Sequence, residues 1–266
     1  MGTEYDAFAE VYDLEYGTLT LDIDFYVEQA QAAQSPVLEL ACGTGRVTLA
    51  IARAGIPIVG VDSSQRMLAV ARDKVARLDE SGKTAVRPLP VQLVQADMRD
   101  FDLVQRFGLA LIPARSFLHL LDPADHVQVL KRIHQHLLPG GQLALNIFVP
   151  NLRMIAEHST STGQMLRYWR DSTDPESGRG VKVWESRRYD VHEQRIYQQF
   201  RYEEVDGDGT VLSTRYRGYT LCYIWPREMG HLLARCGFEI VDLYGGFDHE
   251  PFHERSSEQI WVARRV

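Results

Sequence analysis

Two carboxylates and two glycines at fixed spacing give the first chemical signal in this 266-residue chain. Val37-Leu38-Glu39-Leu40-Ala41-Cys42-Gly43-Thr44-Gly45-Arg46 passes from an apolar run through small residues into a helix-forming stretch. Gly43 and Gly45 permit a sharp turn and let a ligand approach a backbone that carries no Cβ. Amides at the start of the following helix would face that ligand. Asp62 closes the next apolar run, at a spacing that suits a carboxylate accepting hydrogen bonds from both hydroxyls of a ribose. A dinucleotide fingerprint would put a third small residue three positions after Gly45 and no acid inside the first strand, whereas this chain has Thr48 and Glu39 there. Glu39 would repel a pyrophosphate and attract a positively charged α-amino group, so the expected ligand is a cationic nucleoside. The competing structural reading of Asp62 is a cap on the next helix, since Asp and Ser both cap well.

The elements that must hold these residues alternate between apolar strand patterns and helical patterns from Pro36 to Val149, the order of strand-helix-strand units around a parallel sheet. Strands are expected at Val37–Ala41, Ile58–Val61, Val91–Gln95, Leu109–Pro113 and Gln142–Phe148, and helices at Arg46–Ala54, Gln65–Leu78 and Ala124–Leu137. Pro139-Gly140-Gly141 should end the last helix and turn the chain into the next strand. From about Gln164 to Ile224 the period changes to the alternation of antiparallel strands, with turns at Asp174 to Gly180 and at Asp206-Gly207-Asp208-Gly209. A helix near Arg227–Cys236 and strands at Glu239–Leu243 and Gln259–Ala263 close the chain. The expected organisation is a helical cap over residues 1–34, an α/β domain built from 35–150 and 226–266, and an antiparallel β insertion over 151–225. The fold class is α/β, a doubly wound, mostly parallel seven-stranded sheet of Rossmann-like form with the inserted antiparallel sheet.

A 45% hydrophobic content suffices for one large core, and the formal net charge of −7 gives no support for a nucleic-acid partner. Cys42, Cys222 and Cys236 are odd in number and lack metal-type spacing, so neither a disulfide framework nor a metal is expected, and a reducing cytoplasm fits best. No apolar run approaches the ~18 residues of a membrane span, so no membrane partner is expected.

Three ordered motifs resemble the class I S-adenosylmethionine-dependent methyltransferases. The first reads Glu39-Leu40-Ala41-Cys42-Gly43-Thr44-Gly45, the second Asp62-Ser63-Ser64-Gln65-Arg66-Met67-Leu68, and the third Gln95-Ala96-Asp97-Met98-Arg99-Asp100-Phe101. The resemblance implies S-adenosyl-L-methionine as cofactor, with Asp97 on the adenine amino group, the Met98 backbone on a ring nitrogen and Met67 packed on the base. It extends the cofactor set to Tyr16, Glu39, Ala41, Gly43, Thr44, Gly45, Arg46, Asp62, Ser63 and Ala114. Two departures from the family pattern stand out: Ala41 replaces the first motif glycine, and Gly108 replaces an Asp usual just before the fourth strand.

Methyl transfer from a sulfonium needs a positioned acceptor and a place for one proton. Leu111-Ile112-Pro113-Ala114-Arg115-Ser116-Phe117-Leu118-His119-Leu120 follows the fourth strand, at the sheet edge where ligands bind, and offers His119 as a proton acceptor. The N-terminal run from Tyr5 to Tyr16, with its Phe8-Ala9-Glu10-Val11-Tyr12-Asp13 core, resembles small-molecule methyltransferases, among them enzymes acting on amino groups of nucleotide-linked sugars. By that resemblance Tyr12 and His119 lie near the transferred methyl. Simple packing of the tyrosines and a hydrogen-bonded structural His119 are the alternatives. The β insertion, rich in aromatics, is expected either to roof the acceptor site or to form a homodimer surface. The function expected is transfer of a methyl group to an amine or hydroxyl of a small molecule. The rivals are a non-catalytic cofactor-binding protein, an NAD-dependent oxidoreductase, and a methyltransferase of RNA or protein.

Overall fold

The computed structural model describes residue 9 and residues 20–81, 88–159, 165–174 and 178–266. Tyr5, Tyr12 and Tyr16 lie outside the described residues. Of the helical segment expected over residues 1–34, the described part includes α1 (Ile23–Ala33), which buries Phe25, Tyr26 and Ala30. The described residues divide into two compact units, one of residues up to Phe117 with Asp122–Val149 and Trp225–Val266, the other of Leu118–Leu121 with Pro150–Ile224.

The first unit contains β1 (Val37–Leu40), α2 (Arg46–Arg53), β2 (Ile58–Asp62), α3 (Gln65–Ser81), β3 (Val91–Gln95), β4 (Phe107–Ile112), α4 (Pro123–His136) and β5 (Leu137–Phe148). The strands of the first unit form one sheet with the two C-terminal strands (Phe238–Tyr244 and Glu258–Arg265, β10 and β11 below), in the order β10-β11-β5-β4-β1-β2-β3. β1 pairs in parallel with β2 and β4, and β2 with β3, while β11 runs antiparallel to β5 and β10. Every residue of β1 is buried, as a strand covered on both faces must be, which is why it reads as an unbroken apolar run apart from Glu39. α2 turns Val47, Leu49, Ile51 and Ala52 inward, and α4 turns Val129, Leu130 and Ile133 inward, each at helical spacing. The chain leaves β1 toward β2 on one side, while β4 flanks β1 on the other. Such a reversal opens a crevice at the carboxyl ends of the two central strands.

Two sequence expectations are corrected here. β5 starts at Leu137, where it meets Phe107, but its regular ladder with β4 resumes only at Gln142. Leu138, Pro139 and Gly140 are exposed between these points, so the breaker makes a bulge inside a strand and not a turn before it. Gly108 lies within β4, and a Cβ there would sit 2.5 Å from the Ser35 Cβ. The Gly108 amide also donates to Ser35 Oγ at 3.0 Å. Close packing of two chain segments thus accounts for the glycine in place of the family's acid.

In the second unit α5 (Leu152–His158) precedes four strands, β6 (Arg167–Thr173), β7 (Gly180–Asp190), β8 (Arg195–Val205) and β9 (Val211–Cys222), paired antiparallel in chain order. No helix is expected at α5, a short one whose start is fixed by the Asn151 side chain accepting from the Met154 amide. Its small core is Val181, Val183 and Phe200, with Tyr202 and Tyr219 against them. Asp206 Oδ1 accepts from the amides of Asp208 and Thr210, which closes the β8–β9 turn. Back in the first unit, α6 (Pro226–Arg235), β10 (Phe238–Tyr244) and β11 (Glu258–Arg265) complete the chain.

Candidate cofactor site

The loop after β1 is built on left-handed backbone: Ala41 has φ 55°, Gly43 φ 54° and Gly45 φ 84°, and Gly45 caps α2. A Cβ at Gly43 would meet no atom within 4 Å, so the backbone there faces open space that a ligand can fill. Asp62, at the end of β2, accepts from the Gly43 amide through Oδ2 and from the Ser64 amide through Oδ1, both at 2.8 Å. These two bonds fix the plane of the carboxylate. Ser64, not Asp62, caps α3, its Oγ accepting from the Met67 amide at 3.1 Å. The capping alternative for Asp62 therefore falls.

Asp97 lies in the loop after β3. Its Oδ1 accepts from the Arg99 amide at 2.8 Å and from Arg99 Nε at 3.0 Å, and its Oδ2 accepts from Arg99 Nη2 at 2.7 Å. The hydrogen bonds and charge of Arg99 hold the carboxyl below the usual carboxylate range, so it is ionised at neutral pH. A cavity of about 240 Å³, counted out to its open mouth, is lined by Ala41, Val61, Asp62, Ser63, Ala96, Asp97 and Met98.

The cavity thus brings together Ala41, Asp62, Ser63, Asp97 and Met98 from the expected set, with Gly43 bonded to Asp62. Met67 is buried and does not line it. Glu39 does not line it either; its carboxyl is buried and accepts from the Thr48 hydroxyl on α2. The residue that departs from the dinucleotide pattern is therefore the partner of the acid that departs from it. Burial pushes Glu39 up to about 8, so without a cation beside it the group is largely neutral at pH 7. The Arg46 guanidinium pairs with both oxygens of Asp22, tying the start of α2 to the residue before α1. The Thr44 carbonyl accepts from Lys74 Nζ at 3.0 Å.

After β4 the chain makes a second left-handed turn, with Ala114 at φ 55° and Arg115 at φ 60°. A polar chain supports it: Tyr26 donates to Asn146 Oδ1, Asn146 Nδ2 donates to Glu258, and Glu258 pairs with Arg115. Sequence reasoning missed this chain, as it missed Asp22 and Arg99. Only Arg99 left a trace, a cation two residues from an expected ligand. His119 ends the 3-10 turn Ser116–His119 and belongs to the second unit, where its ring is 6.1 Å from that of Tyr219. Burial, and to a lesser degree the Arg217 charge, depresses its pKa to about 4, so the imidazole is neutral at physiological pH. No group of three or more metal-ligating side chains occurs among the described residues, and no described helix is long and apolar enough to cross a membrane.

Comparison with known proteins agrees with this geometry. The model of a methyltransferase domain matches residues 37–141, from the start of β1 into β5. The cypemycin N-terminal methyltransferase of a Streptomyces species is 29% identical over 229 residues, covering 86% of this chain and 82% of that one. The fold matches the CcbJ methyltransferase from Streptomyces caelestis with a TM-score of 0.75 and 23% identity, over 92% of this chain and 95% of that one. It also matches CalS10, an amino pentose methyltransferase from Micromonospora echinaspora, with a TM-score of 0.68 and 21% identity over 97% of each chain. Glycine loop, paired acids, sheet order and sequence likeness converge, the nicotinamide alternative falls, and the chain carries a methyltransferase domain over residues 37–141 and is similar to S-adenosylmethionine-dependent methyltransferases, with S-adenosyl-L-methionine as its cofactor.

Proposed function

We propose that this enzyme methylates an amine or hydroxyl of a small molecule in the cytoplasm. The observation that carries the site reading is the pair of carboxylates, Asp62 and Asp97, on the wall of one cavity, each with at least one oxygen set by a backbone amide. Asp62 accepts from the ribose hydroxyls and Asp97 from the adenine amino group, while the Met98 amide meets a ring nitrogen. Ser63 and Ala41 close the wall, and the loop of Gly43, Thr44, Gly45 and Arg46 carries the cofactor against the open space at Gly43, whose amide is already given to Asp62. Glu39 becomes ionised when the cofactor's ammonium comes near, because a neighbouring cation offsets the cost of burying its charge. Tyr16, Met67 and Ala114 complete the cofactor contacts by family likeness.

The cofactor supplies an electrophilic methyl on sulfur. This chain's part would be to hold an acceptor's lone pair in line with that methyl. The acceptor's proton then needs a base, and neutral His119 can take it, with Tyr12 orienting the acceptor. An amine acceptor is supported by relatives described as an N-terminal methyltransferase and an amino pentose methyltransferase. The cytoplasm is supported by three buried cysteines, none of them in a disulfide.

Calorimetry with S-adenosylmethionine, S-adenosylhomocysteine and NAD tests the cofactor reading: the first two should bind and NAD should not. A screen of small amines and hydroxylated metabolites for S-adenosylhomocysteine formation tests the acceptor. Turnover confined to RNA or protein acceptors would overturn the small-molecule reading.

A further inference from the structure

Arg99 forms no part of the cavity wall, yet it makes three of the contacts that decide how Asp97 meets a ligand. Its amide and Nε take Oδ1 and its Nη2 takes Oδ2. A carboxylate has about four lone-pair positions. Among the described residues Oδ1 is fully used and Oδ2 keeps one. Arg99 is itself held from a second element, through Nη1 to Asp125 Oδ2 at 2.9 Å in the first turn of α4. Gln128, one turn further on, donates to the Arg99 carbonyl at 2.9 Å. The loop after β3 is thus clamped to α4 at both the side chain and the backbone of one residue.

We propose that Arg99 is a specificity-determining positioning residue: with Asp125 behind it, it keeps Asp97 as a fixed, acceptor-only carboxylate that selects a 6-amino purine over a 6-oxo purine. This rests on the assignment of Asp97 to the adenine amino group. The chemistry is a matter of sign. A 6-amino group donates, and an ionised carboxylate with one remaining acceptor position receives it. A 6-oxo group presents an acceptor, which meets that oxygen with lone pair against lone pair. A carboxyl free to rotate or to take up a proton could offer O–H to the oxo group and lose the discrimination. The bidentate geometry denies both freedoms, because rotation of either partner breaks two parallel bonds.

The test compares S-adenosylhomocysteine with S-inosylhomocysteine, which has a 6-oxo group and an N1–H where the former has a 6-amino group and a bare N1, by calorimetry on the full chain; the change in their ratio between wild type and variants, not the ratio alone, reads Asp97. The wild type should prefer the adenosyl ligand by about tenfold or more, the worth of one hydrogen bond to a charged group. Arg99→Gln should lower adenosyl affinity by about that factor and leave inosyl affinity within about twofold, so that the preference collapses. Arg99→Lys should restore part of it, and Asp125→Asn should give an intermediate ratio. The inosyl ligand reports whether the variant still folds and binds. Equal loss of both ligands in Arg99→Gln would reduce Arg99 to a structural residue, and an unchanged ratio would also overturn the proposal. Asp97→Ala separates the two levels: if it abolishes the preference while Arg99→Gln does not, Asp97 keeps its role and Arg99 loses it. If Asp97→Ala leaves the preference intact, both assignments fall.

Discussion

The first unit holds the carboxylates proposed to bind the cofactor at least partly with backbone, whereas the second unit holds the acids of its strands with side chains and uses backbone amides for acids at its turns, as at Asp206. Asp62 is fixed by the amides of Gly43 and Ser64, and Asp97 in part by the amide of Arg99. In the four-stranded sheet Glu203 is reached by the Trp184 indole, Glu185 by Arg187, Glu204 by Arg179 and Ser213, and Asp174 by Arg215. A backbone-held group needs a particular run of φ values at a particular distance along the chain, and that need shows as spaced small residues. A side-chain-held group can exchange partners without altering the chain path. One unit therefore carries motifs, and the other carries only alternation.

The largest effect that separates the two belongs to His119. His119→Ala should lower kcat by ~10²–10⁴, the range of a lost general base, and leave the affinity for S-adenosylmethionine within about twofold. Its depressed pKa of about 4 sets the pH dependence: the acid limb of kcat should fall near pH 4 and not near 6.5. The sign for stability follows from the same shift. Between pH 6.5 and about 4 the unfolded chain binds a proton that the folded chain refuses, so this group's contribution is complete above pH 6.5 and is lost on acidification. A pH–rate profile and binding isotherms check both, and a binding loss as large as the kcat loss would remove the catalytic role.

Asp62→Ala reverses the pattern, with binding lost and chemistry spared. On the proposed assignment two charge-assisted hydrogen bonds to the ribose would disappear, and the Gly43 and Ser64 amides lose their partner, so affinity should fall by about 100-fold or more. At saturating cofactor kcat should change little. Asp62→Asn retains one acceptor oxygen and should fall between. The prediction is checked by calorimetry alongside single-turnover rates.

The stretch from Val37 to Asp62 was legible in the sequence because a doubly covered strand, a left-handed loop and a helix start each restrict residue type. The bulge at Leu138–Gly140 was not, since Pro-Gly-Gly signals a break in regular structure without saying whether a helix or a strand is broken. Gly108 reads in the sequence as a missing acid, while its reason is Ser35, 73 residues earlier in the chain. The polar chain through Tyr26, Asn146 and Glu258 joins three distant segments by ordinary polar residues that follow no spacing rule. Within the site, the positions fixed by local backbone were readable, and the side chains that orient them from other elements were not.

Glu39 tests a smaller effect on the same side of the comparison. Its folded pKa is raised from 4.5 to about 8, so its favourable state is present below pH 4.5 and is lost as pH rises through about 8. Glu39→Gln keeps the size and an oxygen for the Thr48 hydroxyl while removing the charge. The cofactor-free variant should therefore gain on the wild type as pH rises, by about 1–3 kcal/mol at pH 9. Cofactor affinity at pH 7 should fall by about tenfold, because a charged partner for the ammonium is gone. Denaturant melts at pH 5 and 9 check the first effect and calorimetry the second. A variant that gains stability without losing affinity would show that Glu39 serves only Thr48.

The smallest expected effect concerns the loop itself. Ala41 holds φ 55°, a left-handed conformation that costs an L-residue about 1–2 kcal/mol relative to glycine. Ala41→Gly removes that strain but gives the unfolded chain more freedom, worth about 0.4–1 kcal/mol in the other direction. The net gain should lie between 0 and about 1 kcal/mol. Ala41 also lines the cavity with Asp62, so a more yielding loop has a second consequence. The Gly43 amide that fixes Asp62 is two residues away, and any loss of its order before binding must be recovered when the cofactor binds. Cofactor affinity should therefore stay level or weaken slightly while the melting temperature rises. A rise in both would mean that Ala41 strains the bound loop as well, and that the backbone constraint on this side of the molecule is looser than the Asp62 geometry implies.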